Sequence, residues 1–254
     1  MIRNIIPSFF TSLNLISGCI AVYFVFSSKF EITFYFLLLG ILFDFLDGFF
    51  ARILDSETDF GVQLDSMADV ITSGFLPGVI LSQIFILNGN SSTVIDLSFF
   101  VDEKIEFTPL SLCGFILTLA AVNRLAKFNL ESKDNNHKDF RGLPAPAMAI
   151  FFGSFPLLTK SPSFLFLKPI LLSNITLIFL AIFFSFLMNS NFKFFSIKSL
   201  KGNTLDKIFK IGIVLIGIVL IFIFGLAGFT VTIASYIFLN LIKNILDIKK
   251  EVRD

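Results

Sequence analysis

The chain has 254 residues, 55% of them hydrophobic and only 15% charged, with a mean hydropathy of +0.87 and a formal net charge of +1. A soluble domain carries about 25% charged residues, and the 37 phenylalanines here lie mostly in long unbroken apolar runs, so composition excludes a soluble globular protein and points to a polytopic membrane protein. The charge balance shows no basic block suited to nucleic acid, and two cysteines set in apolar runs, Cys19 and Cys113, imply no disulfide framework.

Residues 1–7, MIRNIIP, read as a short amphipathic lead-in at the membrane surface. About 20 apolar residues cross a bilayer core. That length predicts eight spans, at about 8–27, 31–50, 65–88, 108–128, 144–159, 169–189, 208–225 and 228–246. The first run lacks a clear cleavage site and reads as a retained helix. Between the spans lie an acidic connection at 53–60, a polar stretch at 89–107, a charged loop at 129–141 and a lysine-rich loop at 191–207. A tight Gly225-Leu-Ala-Gly228 turn separates the last two spans. With the N-terminus in the cytoplasm, 16 of the 20 Lys and Arg residues fall on the inner side. That bias predicts both termini, and the junction of spans two and three, on the cytoplasmic face. Tyr23, Tyr35 and Tyr236 read as interface anchors. His137 is the only histidine and sits in the charged loop, which leaves no support for a Ser–His–Asp triad.

The stretch DFLDGFFARILDSETDFGVQLDSMAD, from Asp44 to Asp69, joins the second and third spans and holds Asp44, Asp47, Asp65 and Asp69 within or beside apolar runs. A carboxylate at the edge of the hydrocarbon is costly unless compensated, so such a residue reads first as functional. Divalent cations are the natural compensation, since hard metals take oxygen ligands. Separations of three and four residues put each pair on one helix face, and two facing helix ends would present all four acids to one space. Glycine at 48 and 61 lets backbone or ligand approach closely, and the planar fork of Arg52 suits phosphate oxygens. Carboxylates, metal and arginine in a small cleft describe a diphosphate site. The alternative, two helix ends with solvated acids, needs no such register.

The order Asp, two residues, Asp-Gly, two residues, Ala-Arg, eight residues, Gly, three residues, Asp, three residues, Asp resembles the signature of the CDP-alcohol phosphatidyltransferases. Asp44, Asp47, Gly48, Ala51, Arg52, Gly61, Asp65 and Asp69 fill every position. A second constellation, Asn123-Arg124-Leu-Ala-Lys127-Phe-Asn129, closes the fourth span, and Phe140-Arg141-Gly142-Leu-Pro144-Ala-Pro146 follows the charged loop. Interfacial snorkelling is the favoured account of Lys127, Lys133, Lys138 and Arg141 taken one by one, whereas Arg124 is set deeper, beside Asn123, and a functional role is favoured there. This segment resembles that of the phosphatidylserine-forming branch, with Lys127 where an arginine is common, which keeps the charge and loses the fork. Pro7-Ser8-Phe-Phe-Thr11-Ser-Leu-Asn14 resembles the family's Pro-Asn-x-x-Thr-x-x-Asn segment. Ser8 departs from it and is given no role. Thr11 and Asn14 either face the nucleotide or pack between helices.

The resemblance covers roughly residues 5–190. It implies an all-α polytopic membrane protein, with a six-helix CDP-alcohol phosphatidyltransferase-like core in 1–190. A lysine-rich loop and a C-terminal transmembrane helix pair, in 191–254, have no assigned role. It further implies transfer of the phosphatidyl group from CDP-diacylglycerol to L-serine, giving phosphatidylserine and CMP. Asp44, Asp47, Asp65 and Asp69 would hold divalent metal, Mg2+ or Mn2+ and two ions, with Asp69 also the catalytic base. Gly48, Ala51, Arg52, Gly61, Thr11 and Asn14 would bind the nucleotide and diphosphate. Arg124, Lys127, Asn129, Gly142 and Pro144 would form the acceptor site, with Arg124 pairing the serine carboxylate. The partners implied are the two substrates, the bilayer and a second copy in a homodimer, and no nucleic acid. Two alternatives stand beside this reading. One is a sibling enzyme using glycerol 3-phosphate or inositol. The other is an ion or proton transporter with a carboxylate relay, against which all four acids cluster near one face beside an arginine.

Overall fold

The structure, a computed structural model, describes residues 2–89, 93–96, 104–133, 142–192, 194 and 204–251. Nearly all of them are helical, as an apolar environment demands, because only a helix or a closed barrel satisfies its own backbone there. Helices α1 (Ile2–Phe26) and α2 (Phe30–Ile53) pack side by side after a tight turn at Ser28. Helix α3 (Asp59–Asp69) continues through a π-helical turn (Val70–Phe75) into α4 (Leu76–Asn88), which ends at Gly89 in the left-handed conformation. The polar stretch that follows contains a short antiparallel hairpin of β1 (Thr93–Asp96) and β2 (Lys104–Phe107), with Thr93 opposite Phe107. A 3-10 turn (Pro109–Gly114) then leads into α5 (Phe115–Lys133).

Helix α6 (Ala145–Leu158) is the centre of the bundle. Met148, Phe151, Phe152 and Phe155 are buried in it against Phe34 and Leu37 of α2 and Ile80 of α4. After α6 the chain turns by 95° into a 3-10 segment (Pro162–Leu167) and α7 (Lys168–Leu171), then enters α8 (Asn174–Asn189). Ser173 caps α8 by accepting from the Thr176 amide at 3.2 Å. Finally α9 (Thr204–Phe224) and α10 (Gly228–Glu251) flank a 3-10 turn (Gly225–Ala227). Thr232 Oγ1 of α10 donates to Gly217 O of α9 at 3.4 Å, so the two helices run antiparallel. Ser154 of α6 and Thr230 of α10 share a buried hydrogen bond of 2.7 Å that ties this pair to the bundle.

Each of the eight expected spans is occupied by a helix. By length and apolarity alone, five segments among the described residues suffice to cross a membrane, or six if the bent pair counts as one. The difference has two sources. Ile211–Asn244 counts once although it reverses at Gly225, and α8 is apolar but short. Large apolar side chains face outward around the bundle, Phe222 at 91% exposure and Ile175 at 82% among them. Such a surface belongs in lipid, and the protein is an integral multi-pass membrane protein. His137, Lys138 and Arg141, the 191–207 loop apart from residues at its edges, and the side chain of Lys133 lie outside the described residues.

Candidate active site

Asp44 and Asp47 leave the last turns of α2, and Asp65 and Asp69 leave α3. The connection between these helices is short. Leu54 closes α2, and Thr58 opens α3 by accepting from the Gly61 amide at 3.0 Å. Capping of this kind fixes where a helix begins, and with it the register of the acids that follow. Asp44, Asp47 and Asp65 each offer one carboxylate oxygen within 4.8 Å of the others. Asp47 is buried, and its Oδ2 accepts from Thr11 Oγ1 of α1 at 2.7 Å. Asp65 Oδ1 is a buried carboxylate oxygen with no hydrogen-bond partner. A buried anionic oxygen is costly without a partner, so three converging carboxylates, one with an oxygen left over, fit a divalent cation.

All four aspartates line one cavity of about 1000 Å³. Arg52, Gly48, Ala51 and Gly61 line the same space. Arg52 Nε donates to Gly48 O at 2.9 Å, which folds the side chain back along α2. A side chain added at Gly48 would meet nothing within 4 Å, so the wall there is open. From α5, buried Arg124 reaches the cavity and lies within electrostatic range of Asp69. Asn129, also on α5, donates to Ser66 Oγ at 2.8 Å, which joins α5 to α3 at the cavity edge. Pro144 and Pro146 bound it where α6 begins.

Residues 4–187 match the sequence profile of the family described as CDP-alcohol phosphatidyltransferase. That is well over half of the chain.

The chain belongs to the CDP-alcohol phosphatidyltransferase family.

It is therefore a transferase. Its relatives include proteins named CDP-diacylglycerol–serine O-phosphatidyltransferase. One from Helicobacter pylori is 26% identical over 93% of this chain and 90% of its own length. One from Methanocaldococcus jannaschii is 33% identical over 63% of this chain and 65% of its own. One from Saccharomyces cerevisiae is 34% identical over 60% of this chain and 54% of its own.

For a phosphatidyltransferase, three of the residues singled out in the sequence sit away from the cavity wall. Asn14 is fully buried behind it. Its Nδ2 donates to Asp69 Oδ1 at 3.3 Å, and its Oδ1 accepts from Thr72 Oγ1 at 2.8 Å. Lys127 is exposed on α5. Gly142 takes the left-handed φ of 77°, donates its amide to Phe192 O at 2.9 Å and packs against the Met188 carbonyl, so its role there is the chain turn before α6. Conversely, several residues that line the cavity carry no local signal in the sequence. Ser8, left without a role, lines the cavity, as does Ser66. The C-terminal pair supplies Ile213, Val214, Ile218, Ile221, Ile233 and Tyr236. Tyr236 was expected at the membrane interface, but only 5% of it is exposed, since α10 turns it inward towards Arg124. Tyr23 and Tyr35 do face outward.

Proposed function

We propose that the protein transfers the phosphatidyl group of CDP-diacylglycerol to the hydroxyl of L-serine, releasing phosphatidylserine and CMP. The observation that carries this reading is the convergence of the family's four aspartates with Arg124 on one cavity. The names of the relatives support serine as the acceptor. Asp44, Asp47 and Asp65 would hold the divalent cation, Mg2+ or Mn2+ and two ions, with Asp69 at the edge of the set. When bound, the metal supplies charge neutralisation for the diphosphate and its leaving oxygen.

The remaining work falls to side chains. Arg52 binds diphosphate oxygens, for which its fork is suited. The open wall at Gly48, with Ala51 and Gly61, leaves room for the cytidine. Arg124 pairs the serine carboxylate, and Asn129 and Pro144 bound the acceptor end. A serine hydroxyl is a weak nucleophile at neutral pH, and a base within hydrogen-bond reach must take its proton as it attacks. Asp69, which lines the cavity, would be that base. The hydroxyl oxygen bonds to the phosphorus that carries diacylglycerol, the bond from that phosphorus to the CMP oxygen breaks, and the proton passes to Asp69. The apolar side chains of α9 and α10 extend the cavity beyond the acids and receive the acyl chains. The Lys and Arg bias supports a cytoplasmic site, on the side where CMP and serine are soluble. Release of CMP by purified protein, given CDP-diacylglycerol and one acceptor at a time, tests the reading. Serine alone should support release, and release with glycerol 3-phosphate or inositol but not serine would assign another acceptor.

A further inference from the structure

Behind Asp69, on the side away from the cavity, lies a buried chain of hydrogen bonds. Thr72 Oγ1 donates to Asn14 Oδ1 at 2.8 Å and lies 3.3 Å from the Asn14 backbone oxygen. The Asn14 amide nitrogen then donates to Asp69 Oδ1 at 3.3 Å. Thr72 is 1% exposed and Asn14 0%. Thr72 belongs to the π-helical turn that directly follows Asp69. Turns of this type are rare and cluster at functional sites. A carboxylate only accepts hydrogen bonds, so it selects the NH2 end of the amide, and the amide oxygen is left for a donor. The Thr72 hydroxyl is that donor.

Its neighbours make room for it. A Cβ at Gly18 would come within 2.6 Å of Thr72 Oγ1. One at Gly40 would come within 2.8 Å of Thr72 Cγ2 and 3.1 Å of Asn14 Oδ1. Two helices thus approach Thr72 through glycines. A valine would fill the same volume in this apolar packing without a polar group to satisfy, so shape alone does not call for the hydroxyl.

We propose that Thr72 is a positioning residue for phosphatidyl transfer: through Asn14 it holds Asp69 Oδ1, leaving Oδ2 as the oxygen aimed at the acceptor hydroxyl. This rests on the reading of Asp69 as the base. The test uses the full-length purified protein and the variants Thr72→Val, Thr72→Ser and Asn14→Ala. It records kcat, KM for each substrate, the Kd for CDP-diacylglycerol without serine, and the melting temperature. Misaligning a catalytic group by a fraction of its contact distance costs about tenfold or more in rate. Thr72→Val should therefore lose about that much in kcat, with KM and Kd within about twofold of the parent. Thr72→Ser should recover the parent kcat. Adding Thr72→Val to Asn14→Ala should cause no further loss, as expected of residues acting in one chain. Thr72→Ala replaces Thr72→Val if the latter does not fold. Parent kcat in Thr72→Val, equal losses in the Val and Ser variants, or multiplying losses with Asn14→Ala would each overturn the proposal. Asp69→Asn in the same series separates the two levels. If it retains turnover, the base assignment fails and this inference with it. If it is inactive while Thr72→Val is normal, the inference alone fails.

Discussion

At Asp69 the motif, the cavity and the hydrogen bond from Asn14 meet in one side chain. Asparagine in its place keeps the shape and removes the proposed base. Asp69→Asn should lower turnover by roughly 100-fold or more, while CDP-diacylglycerol still binds, as calorimetry would show. Near-normal turnover would end the base assignment. Arg124 carries the second residue-scale expectation. Losing a charge-assisted bond in a semi-buried site costs about 2–5 kcal/mol, roughly thirty-fold or more in affinity. Arg124→Ala should raise KM for serine by that order and leave donor binding nearly unchanged. An unchanged serine KM would remove Arg124 from the acceptor site. The aspartates were legible in the sequence because they stand beside apolar runs, at separations of three and four that share a helix face, in an order that resembles the family signature. Asn14 was not, since its partners Asp69 and Thr72 are 55 and 58 positions away along the chain. Nothing local distinguishes an asparagine that touches substrate from one that holds a carboxylate in place.

Among the elements, the helices were readable from apolar length, and their fine structure was not. The π turn at Val70–Phe75 interrupts no apolar run, so hydropathy passes over it. It leaves the Gly74 carbonyl to accept from Thr118 Oγ1 of α5 at 3.2 Å, a contact that exists only after the helices pack. The polar stretch between α4 and α5 likewise concealed a hairpin, whose strands are only four residues each. The C-terminal pair is the clearest case. It lies beyond the family-matched residues 4–187, yet it lines the cavity. If α9 receives an acyl chain, filling its wall should discriminate by chain length. Each buried methylene contributes about 0.8 kcal/mol, so blocking two of them is worth roughly tenfold in kcat/KM. Ile221→Trp should cost about that much with a dioleoyl donor and little with a short-chain donor. Equal effects on both donors would place the acyl chains elsewhere.

The described residues form a helical bundle with an apolar outer surface and a cavity where acids from two helix ends converge. The unpartnered Asp65 oxygen, beside the carboxylates of Asp44 and Asp47, is the observation from which a metal requirement is proposed. Thorough chelation should abolish turnover, and magnesium or manganese should restore it. Activity that persists through chelation would take the metal out of the account. The central claim is that this cavity passes a phosphatidyl group to L-serine. The most direct measurement offers purified protein CDP-diacylglycerol together with equal concentrations of L-serine, glycerol 3-phosphate and inositol, and identifies the lipid product by mass spectrometry. The account predicts phosphatidylserine as the dominant product, formed in step with CMP and absent in Asp69→Asn. Phosphatidylglycerol phosphate or phosphatidylinositol in its place, with no phosphatidylserine, would contradict it.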